Sequence, residues 1–317
     1  MQIFGPIPSR RLGWSLGVNT LPGKICSYSC AYCQVGLTEH FDRERRPYAD
    51  PEEVAKSVAE KIARVVAKGG TVDVVSFVPD GEPTLDAGLG AQIAAVRSMR
   101  RTAVITNGSL MDRADVRRDL LQADIVSVKI DTVDAAAWRK VDCPTAGVEL
   151  TSILDGIRLF ATEFTGTLLT ETMLVGGVND DAAHLAATAK FIADLKPKKA
   201  YILVPTRPPA RLDIVLPTPE ALAAAWQTFS AALPPDTAEM LTGHEGNAFS
   251  STGDARADIL AITAVHPLRT ENIESILAAA GESWDTVERL KSEGLVSEVT
   301  FGADRFIVRT LHTFTKG

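Results

Sequence analysis

Three cysteines, Cys26, Cys30 and Cys33, stand within eight positions of one another in KICSYSCAYCQ, residues Lys24 to Gln34. Cys143, more than a hundred residues further on, is the only other thiol of the chain. C-x3-C-x2-C spacing lets one short segment present three thiolates to one face of a compact inorganic core. Zinc in a structural site wants four ligands, so a Cys3His site completed by His40 is one reading. A [4Fe–4S] cube held by three cysteines is the other, and it has one iron without a protein ligand. The x3-x2 spacing and the α/β pattern around it count against zinc. Four cysteines, three of them clustered, make no disulfide framework for 317 residues.

The elements that must position these thiols follow from hydrophobic periodicity. Short apolar runs alternate with alanine-rich amphipathic stretches for about two hundred residues. SLGVNTL (Ser15 to Leu21) comes just before the cysteines. PEEVAKSVAEKIARVVAKGG reads as a helix capped by Asp50, begun by Pro51 and stopped by Gly69. TVDVVSFV, TAVITN, DIVSVKID, GTLLTETMLV and AYILVP read as strands, with helices between them and a last helix from about Pro219 to Ala232. Strands this apolar are buried on both faces, as in a parallel sheet covered by helices. Six β/α units imply an open, partial barrel of the triosephosphate-isomerase type; a doubly wound open sheet is the competing layout.

Composition changes in LPPDTAEMLTGHEGNAFSSTGD, which reads as a linker. Beyond it, three short helical patterns precede two strands joined by a turn at Gly302 to Asp304. That is the element order of a winged helix. The expected organisation is a barrel over 1–234, a linker over 235–253 and a winged-helix-like domain over 254–317.

The cysteine motif resembles that of radical S-adenosylmethionine enzymes, C-x3-C-x-aromatic-C, matched here by Cys26, Cys30, Tyr32 and Cys33. GEPTL (Gly81 to Leu85) is similar to the family's glycine–glutamate motif, and ITNGSL and VKID close the next two strands. More narrowly, GPIPSRRLG, GEPTL, TNGSL, GVND and PTRPP look like the wyosine-synthesis-like iron–sulfur oxidoreductases. The resemblance implies that the three cysteines carry three irons while the fourth binds S-adenosylmethionine. An electron through the cluster would cleave the sulfonium, and a 5′-deoxyadenosyl radical would abstract hydrogen from a substrate. Flavodoxin or ferredoxin is the implied reductant.

The implied cofactor contacts are Tyr32 at the adenine, and Gly81, Glu82 and Pro83 near the amino group. Asn107 would meet the ribose or carboxylate, and Lys129 the carboxylate, with Asp131 on the same strand face. Asn179 and Arg207 are further candidates. Each has a plainer alternative: a core aromatic, a turn glutamate or asparagine, a salt-bridged lysine. Cys143 could donate hydrogen to a substrate radical or be a small buried hydrophobe. His244 and Glu245 could reach substrate if the linker folds over the barrel mouth; His184 sits on a helix. Wyosine synthases carry a second cysteine set, which one leftover thiol cannot supply.

A net charge of −7 gives no global pull toward nucleic acid or anionic membrane. No apolar run approaches the roughly 20 residues that span a bilayer. The N-terminus lacks the apolar core and cleavage site of a secretory signal, so a cytoplasmic location is expected. From Asp254 onward, seven Lys and Arg stand against ten Asp and Glu. ESWDTVERLKSEG, which would enter a DNA groove, carries four acids and two bases, which suits DNA poorly. Docking to a protein or peptide, or packing on the barrel, fits this domain better, whereas the wyosine likeness points to a tRNA nucleoside as substrate. RERRP (Arg43 to Pro47) is the densest basic stretch, either a guide for an anionic partner or a solvated charge run. The rival from another class is a non-catalytic, metal-stabilised winged-helix regulator, which would not require GEPTL and TNGSL at strand ends.

Overall fold

The computed structural model describes residues 1–241, 253–264 and 267–310. Its main sheet has eight strands: β1 (Gln2–Ser9), β2 (Gly13–Asn19), β5 (Val74–Phe77), β6 (Arg101–Thr106), β7 (Ile125–Lys129), β8 (Thr167–Met173), β9 (Lys199–Leu203) and β10 (Ala238–Leu241), in that spatial order. A two-residue pair, β3 (Ile25–Cys26) and β4 (His40–Phe41), lies between β2 and β5 in the chain. β1 runs antiparallel to β2, and every later neighbour in the main sheet is parallel. Helices α1 (Pro51–Ala67), α2 (Leu89–Val96), α3 (Ala114–Leu120), α4 (Ala135–Val141), α5 (Leu150–Glu163), α6 (Ala182–Leu195) and α7 (Pro219–Ala232) fill the connections. Asp50 caps α1 as expected, accepting from the amides of Glu52 and Glu53 at 2.8 and 3.2 Å.

Period-two alternation divides the strand residues between two cores. Val75, Val104, Val126, Leu168 and Ile202 pack outward against the helices, with Val58, Ile93, Leu120, Ile157 and Phe229. Their chain neighbours Val74, Ala103, Ile125, Leu169 and Tyr201 form an inner cluster with Leu12 and Leu241. The sheet is curled. Arg11, in the turn before β2, is ion-paired to Glu171 on β8, yet four inter-strand spacings, roughly 19 Å in a flat sheet, separate β2 from β8. The curl does not close, because β1 and β10 are the two ends of the strand order. The α/β fold with a parallel sheet is thus the one read from the sequence, with β1 and β10 added to the six expected strands. β10 falls inside the stretch expected to be linker.

Beyond the main sheet lie α8 (Ala255–Thr263), β11 (Leu268–Arg269), α9 (Thr270–Ala280), α10 (Asp285–Ser292), β12 (Val296–Phe301) and β13 (Asp304–Arg309). β13 is the central strand of a three-stranded sheet, and the β12–β13 turn places Gly302 at φ +61°. The core of this unit (Ile259, Ile273, Ile276, Val287, Leu290, Ile307) continues into Phe4 and Ile7 of β1, so it packs on that edge strand.

RERRP is a solvated charge run at Glu44 and Arg46, but not at Arg45. The Arg45 side chain is turned inward, 6% exposed, and donates to the carbonyls of Thr84 at 2.8 Å and Asp86 at 3.0 Å. It also pairs with Asp115 at 2.9 Å and with Asp119 on α3. Arg46 pairs with Asp42 and Glu44, and Arg43 with Asp112. The run fastens the segment after the cysteines to the GEPTL turn and α3.

Candidate active site

The chain leaves β2, forms β3 and runs straight into the cysteine loop. β3 is held from two sides, by parallel pairing to β4 and by the amide of Glu82, which donates to the Ile25 carbonyl at 3.1 Å. Gly81 is needed here: a Cβ on it would stand 1.7 Å from the same carbonyl. The loop then folds on itself, the amide of Cys33 donating to the Cys30 carbonyl at 3.0 Å and that of Gly36 to Cys33 at 3.2 Å. Its far side is fastened where α4 ends, through the Ala31 amide on the Val141 carbonyl at 2.8 Å.

Cys26, Cys30 and Cys33 all line one cavity of about 260 Å³ at the C-terminal ends of the parallel strands. Two of the sulfurs accept hydrogen bonds. The Lys24 ammonium, itself buried, lies 3.0 Å from Cys33 Sγ and also donates to the Gly36 carbonyl. Asn107 Nδ2 lies 3.4 Å from Cys26 Sγ and 3.2 Å from Ser27 Oγ. Cys30 Sγ stands 3.5 Å from Asp142 Oδ1. Burial, with Glu82 adding to it, pushes the Cys26 thiol up to about 12. Burial and then Asp142 push Cys30 well up. Without a metal these are thiols, and ligation must displace their protons.

Soft sulfur donors suit iron–sulfur clusters or zinc. Among the described residues, no three His, Cys, Asp or Glu side chains converge on a point that a single metal ion could fill, and His40 is exposed. A cluster spreads its ligands over separate irons, so it does not need that convergence. Three thiols on one cavity wall, two of them with N–H donors and with open space beyond, fit a three-cysteine cluster with room for a ligand on its free side.

The other expected residues divide into those that reach the cavity and those that brace it. Tyr32, buried, lines it; its hydroxyl donates to Asp131, and the Lys129 ammonium stands 5.2 Å from its ring centroid. Lys129 does both things the sequence left open: it faces the cavity, and it is salt-bridged to Glu171 at 3.4 Å. Asp131 also accepts from the Met173 amide at 2.7 Å. Glu82 reaches the cavity wall, but both its oxygens are engaged. They accept from the Thr84 amide (3.0 Å), Thr84 Oγ1 (2.6 Å), Thr106 Oγ1 (2.6 Å) and the Asn107 amide (2.7 Å). This carboxylate latches the GEPTL turn to the end of β6. Asn107 lines the cavity and hands its side chain to the cysteine loop. Arg207 lines the cavity and donates to Gln34 Oε1 at 3.0 Å.

Asp131 does not itself line the cavity, and neither do three other expected residues, Pro83, Asn179 and Cys143, nor the helix residue His184. Pro83 is buried as the first residue of a short turn, 83–85. Asn179 donates to the carbonyls of Asp131 (2.8 Å) and Met173 (2.9 Å) and accepts from the Val175 amide (2.8 Å), tying together the segments after β7 and β8. Cys143 sits at φ +45° beyond α4, its Sγ 3.4 Å from the Lys140 carbonyl. His184 binds Asp181 at 2.7 Å at the start of α6. His244 and Glu245 lie outside the described residues.

Sequence reasoning missed Lys24, Arg11, Asp142 and Glu171. Glu171 had a usable signal: it is the one acid in the apolar strand GTLLTETMLV, on the face that β7 uses for Lys129. Burial pushes its carboxyl up, but Arg11 and Lys129 outweigh this and hold it at about 2. Ser127 adds a hydrogen bond of 2.6 Å. A carboxyl depressed on folding contributes stability that is complete above its unfolded pKa and lost as pH falls through the folded one. Glu171 therefore costs the protein stability between pH 4.5 and about 2. Glu171→Gln is expected to remove that part of the acid dependence and to lower stability at pH 7, by about 3 kcal/mol, because two cations lose their counter-charge. Urea unfolding of both proteins at pH 7 and pH 3 measures this; equal losses on acidification would contradict it.

Residues 20–192 match the model of the radical SAM superfamily. A UPF0026 protein of Methanocaldococcus jannaschii is 38% identical over 314 residues, covering 99% of this chain and 97% of its own. Among solved structures, a radical SAM methyltransferase from Sphaerobacter thermophilus superposes with a TM-score of 0.56 at 18% identity, over 73% of this chain and 66% of that one. TYW1 with a lysine–pyruvate adduct bound gives 0.51 at 17%, over 70% and 76%. These likenesses show the fold of the core. No helix among the described residues is long and apolar enough to cross a membrane. The match over more than half the chain, around a cavity walled by the three thiols, makes this protein a member of the radical SAM superfamily, with a [4Fe–4S] cluster and S-adenosylmethionine as its cofactors.

Proposed function

We propose that Cys26, Cys30 and Cys33 ligate the [4Fe–4S] cluster, that its fourth iron takes the amino and carboxylate groups of S-adenosylmethionine, and that the chain is a hydrogen-abstracting radical enzyme. The observation that carries this reading is the opening of all three thiols onto one cavity at the strand C-termini, where barrel active sites lie. When bound and reduced by a donor of flavodoxin or ferredoxin type, the cofactors supply a 5′-deoxyadenosyl radical that abstracts hydrogen from substrate. The chain's own residues do the rest. Lys24 and Asn107 donate to ligand sulfurs, as outer partners of a metal site do. Tyr32, held through its hydroxyl by Asp131, offers a fixed aromatic wall for the adenine. The Glu82 latch holds the end of β6 and the Gly81 turn against the cysteine strand.

The unit from 254 onward, three helices with a β12–β13 ribbon, is read as a winged helix. Arg289 and Lys291 on α10 lie among Asp285, Glu288 and Glu293, and Lys291 is within 3.1 Å of Glu288. That supports docking of a polypeptide over DNA. The substrate is a tRNA nucleoside or a polypeptide.

Anaerobic reconstitution tests the site. About four irons and four sulfides per chain, and a reduced-cluster electron paramagnetic resonance signal that shifts on adding S-adenosylmethionine, are expected. Zinc without iron, or a cluster signal indifferent to the cofactor, would overturn the assignment and favour a metal-stabilised regulator.

A further inference from the structure

Lys24 is the one charged residue between Arg11 and Glu39, and it stands immediately ahead of β3 and Cys26. Its side chain is buried and reaches across to the far end of the cysteine loop. There its ammonium lies 3.0 Å from Cys33 Sγ and also donates to the Gly36 carbonyl. The Lys24 carbonyl accepts from the His40 amide at 3.3 Å, which holds the backbone that the side chain extends from. A buried ammonium is costly unless acceptors and an anion meet it. Among the described residues no carboxylate is ion-paired to Lys24. Asp80 stands on the same cavity wall, where burial pushes its carboxyl up to about 6 against the pull of Asn19 and Lys24. The group that meets this ammonium at hydrogen-bond distance on the cavity side is the Cys33 sulfur.

The other two sulfurs are met differently. Asn107 Nδ2, a neutral donor, lies 3.4 Å from Cys26 Sγ, and Cys30 Sγ faces a carboxyl, Asp142, at 3.5 Å. Lys24 is thus the cationic donor among the described contacts of the three thiols. Hydrogen bonds to the sulfurs and local charge are the protein's levers on an iron–sulfur potential. One-electron reduction adds a negative charge to a cluster and its thiolates. A fixed cation in a buried site favours the more negative state, and a charged donor does so more strongly than a neutral one.

Resting on the cofactor assignment above, we infer that Lys24 acts through Cys33 to raise the reduction potential of the cluster, easing electron entry from a donor of flavodoxin or ferredoxin type. The test is a redox titration, followed by electron paramagnetic resonance, of reconstituted wild type, Lys24→Gln and Lys24→Arg without S-adenosylmethionine. Lys24→Gln keeps an N–H donor and loses the charge. Its ratio of reduced to oxidised cluster at a given solution potential is expected to fall at least tenfold, about 59 mV for one electron. Lys24→Arg, which keeps the charge, is expected to recover most of that ratio. A fully loaded Lys24→Gln protein with the wild-type potential overturns the inference. If Lys24→Gln holds no cluster, wild-type protein labelled with nitrogen-15 at lysine serves instead. Pulsed electron paramagnetic resonance is then expected to show a lysine nitrogen coupled to the reduced cluster, and no such coupling overturns the inference. Iron and sulfide content of the same samples separates the two readings. Wild-type protein without iron overturns the cofactor assignment itself, whereas a loaded cluster indifferent to Lys24 overturns this inference alone.

Discussion

Replacing any one of Cys26, Cys30 or Cys33 with alanine is expected to abolish iron retention and to cut release of 5′-deoxyadenosine by on the order of a thousandfold or more. The three positions act as one unit, so the double and triple variants should be no worse than the singles. Cys143→Ala is the internal control. It is outside the cavity lining, and its sulfur is 3.4 Å from the Lys140 carbonyl. Alanine also keeps the Cβ that its φ of +45° already accommodates. Activity within about twofold of wild type is expected, the spread of a substitution away from a site. Loss of activity in Cys143→Ala with full iron content would make that thiol a hydrogen donor after all, and retention of cluster in a Cys30→Ala protein would break the ligand assignment.

The second large effect comes from a residue without a side chain. Gly81→Ala is expected to destabilise the metal-free protein by about 3 kcal/mol, the upper end for overpacking, and to lower iron loading severely. The reason is geometric: the new Cβ would stand 1.7 Å from the Ile25 carbonyl oxygen and 2.6 Å from its carbon. Both are backbone atoms of the two-residue strand that ends in Cys26, so relief means moving Cys26, the first of the proposed ligands. The resemblance implies Gly81 near the cofactor's amino group, and Gly81 does line the cavity; the structure adds its close approach to the chain's own β3. Denaturant unfolding and iron analysis of Gly81→Ala decide this. Wild-type stability with full loading would show that the turn can give way at no cost.

The alternation of strand and helix was legible because parallel strands, buried on both faces, read as short apolar runs, and because Asp50 and Pro51 mark the start of α1 so plainly. β1 was not, since GPIP interrupts its pattern with a glycine and two prolines, which an edge strand tolerates. β10 is four residues, AEML, among prolines and threonines. The cysteine loop was legible as chemistry because its spacing is specific. Its supports were not, because they depend on contacts across long stretches of chain. Asn107 meets Cys26, Asp142 meets Cys30, and Arg11 crosses the sheet to Glu171. Strand alternation put Lys129 and Asp131 on one face, but it could not say that Glu171 and Tyr32 would be there to meet them. RERRP shows the opposite hazard: a run of charge in sequence became, at Arg45, an inward-turned clamp.

The most direct measurement of the central claim is the yield of 5′-deoxyadenosine from the anaerobically reconstituted full chain with S-adenosylmethionine, with and without dithionite. The account predicts 5′-deoxyadenosine together with methionine when the reductant is present, and background without it. A fully loaded cluster that leaves S-adenosylmethionine intact under dithionite would contradict it.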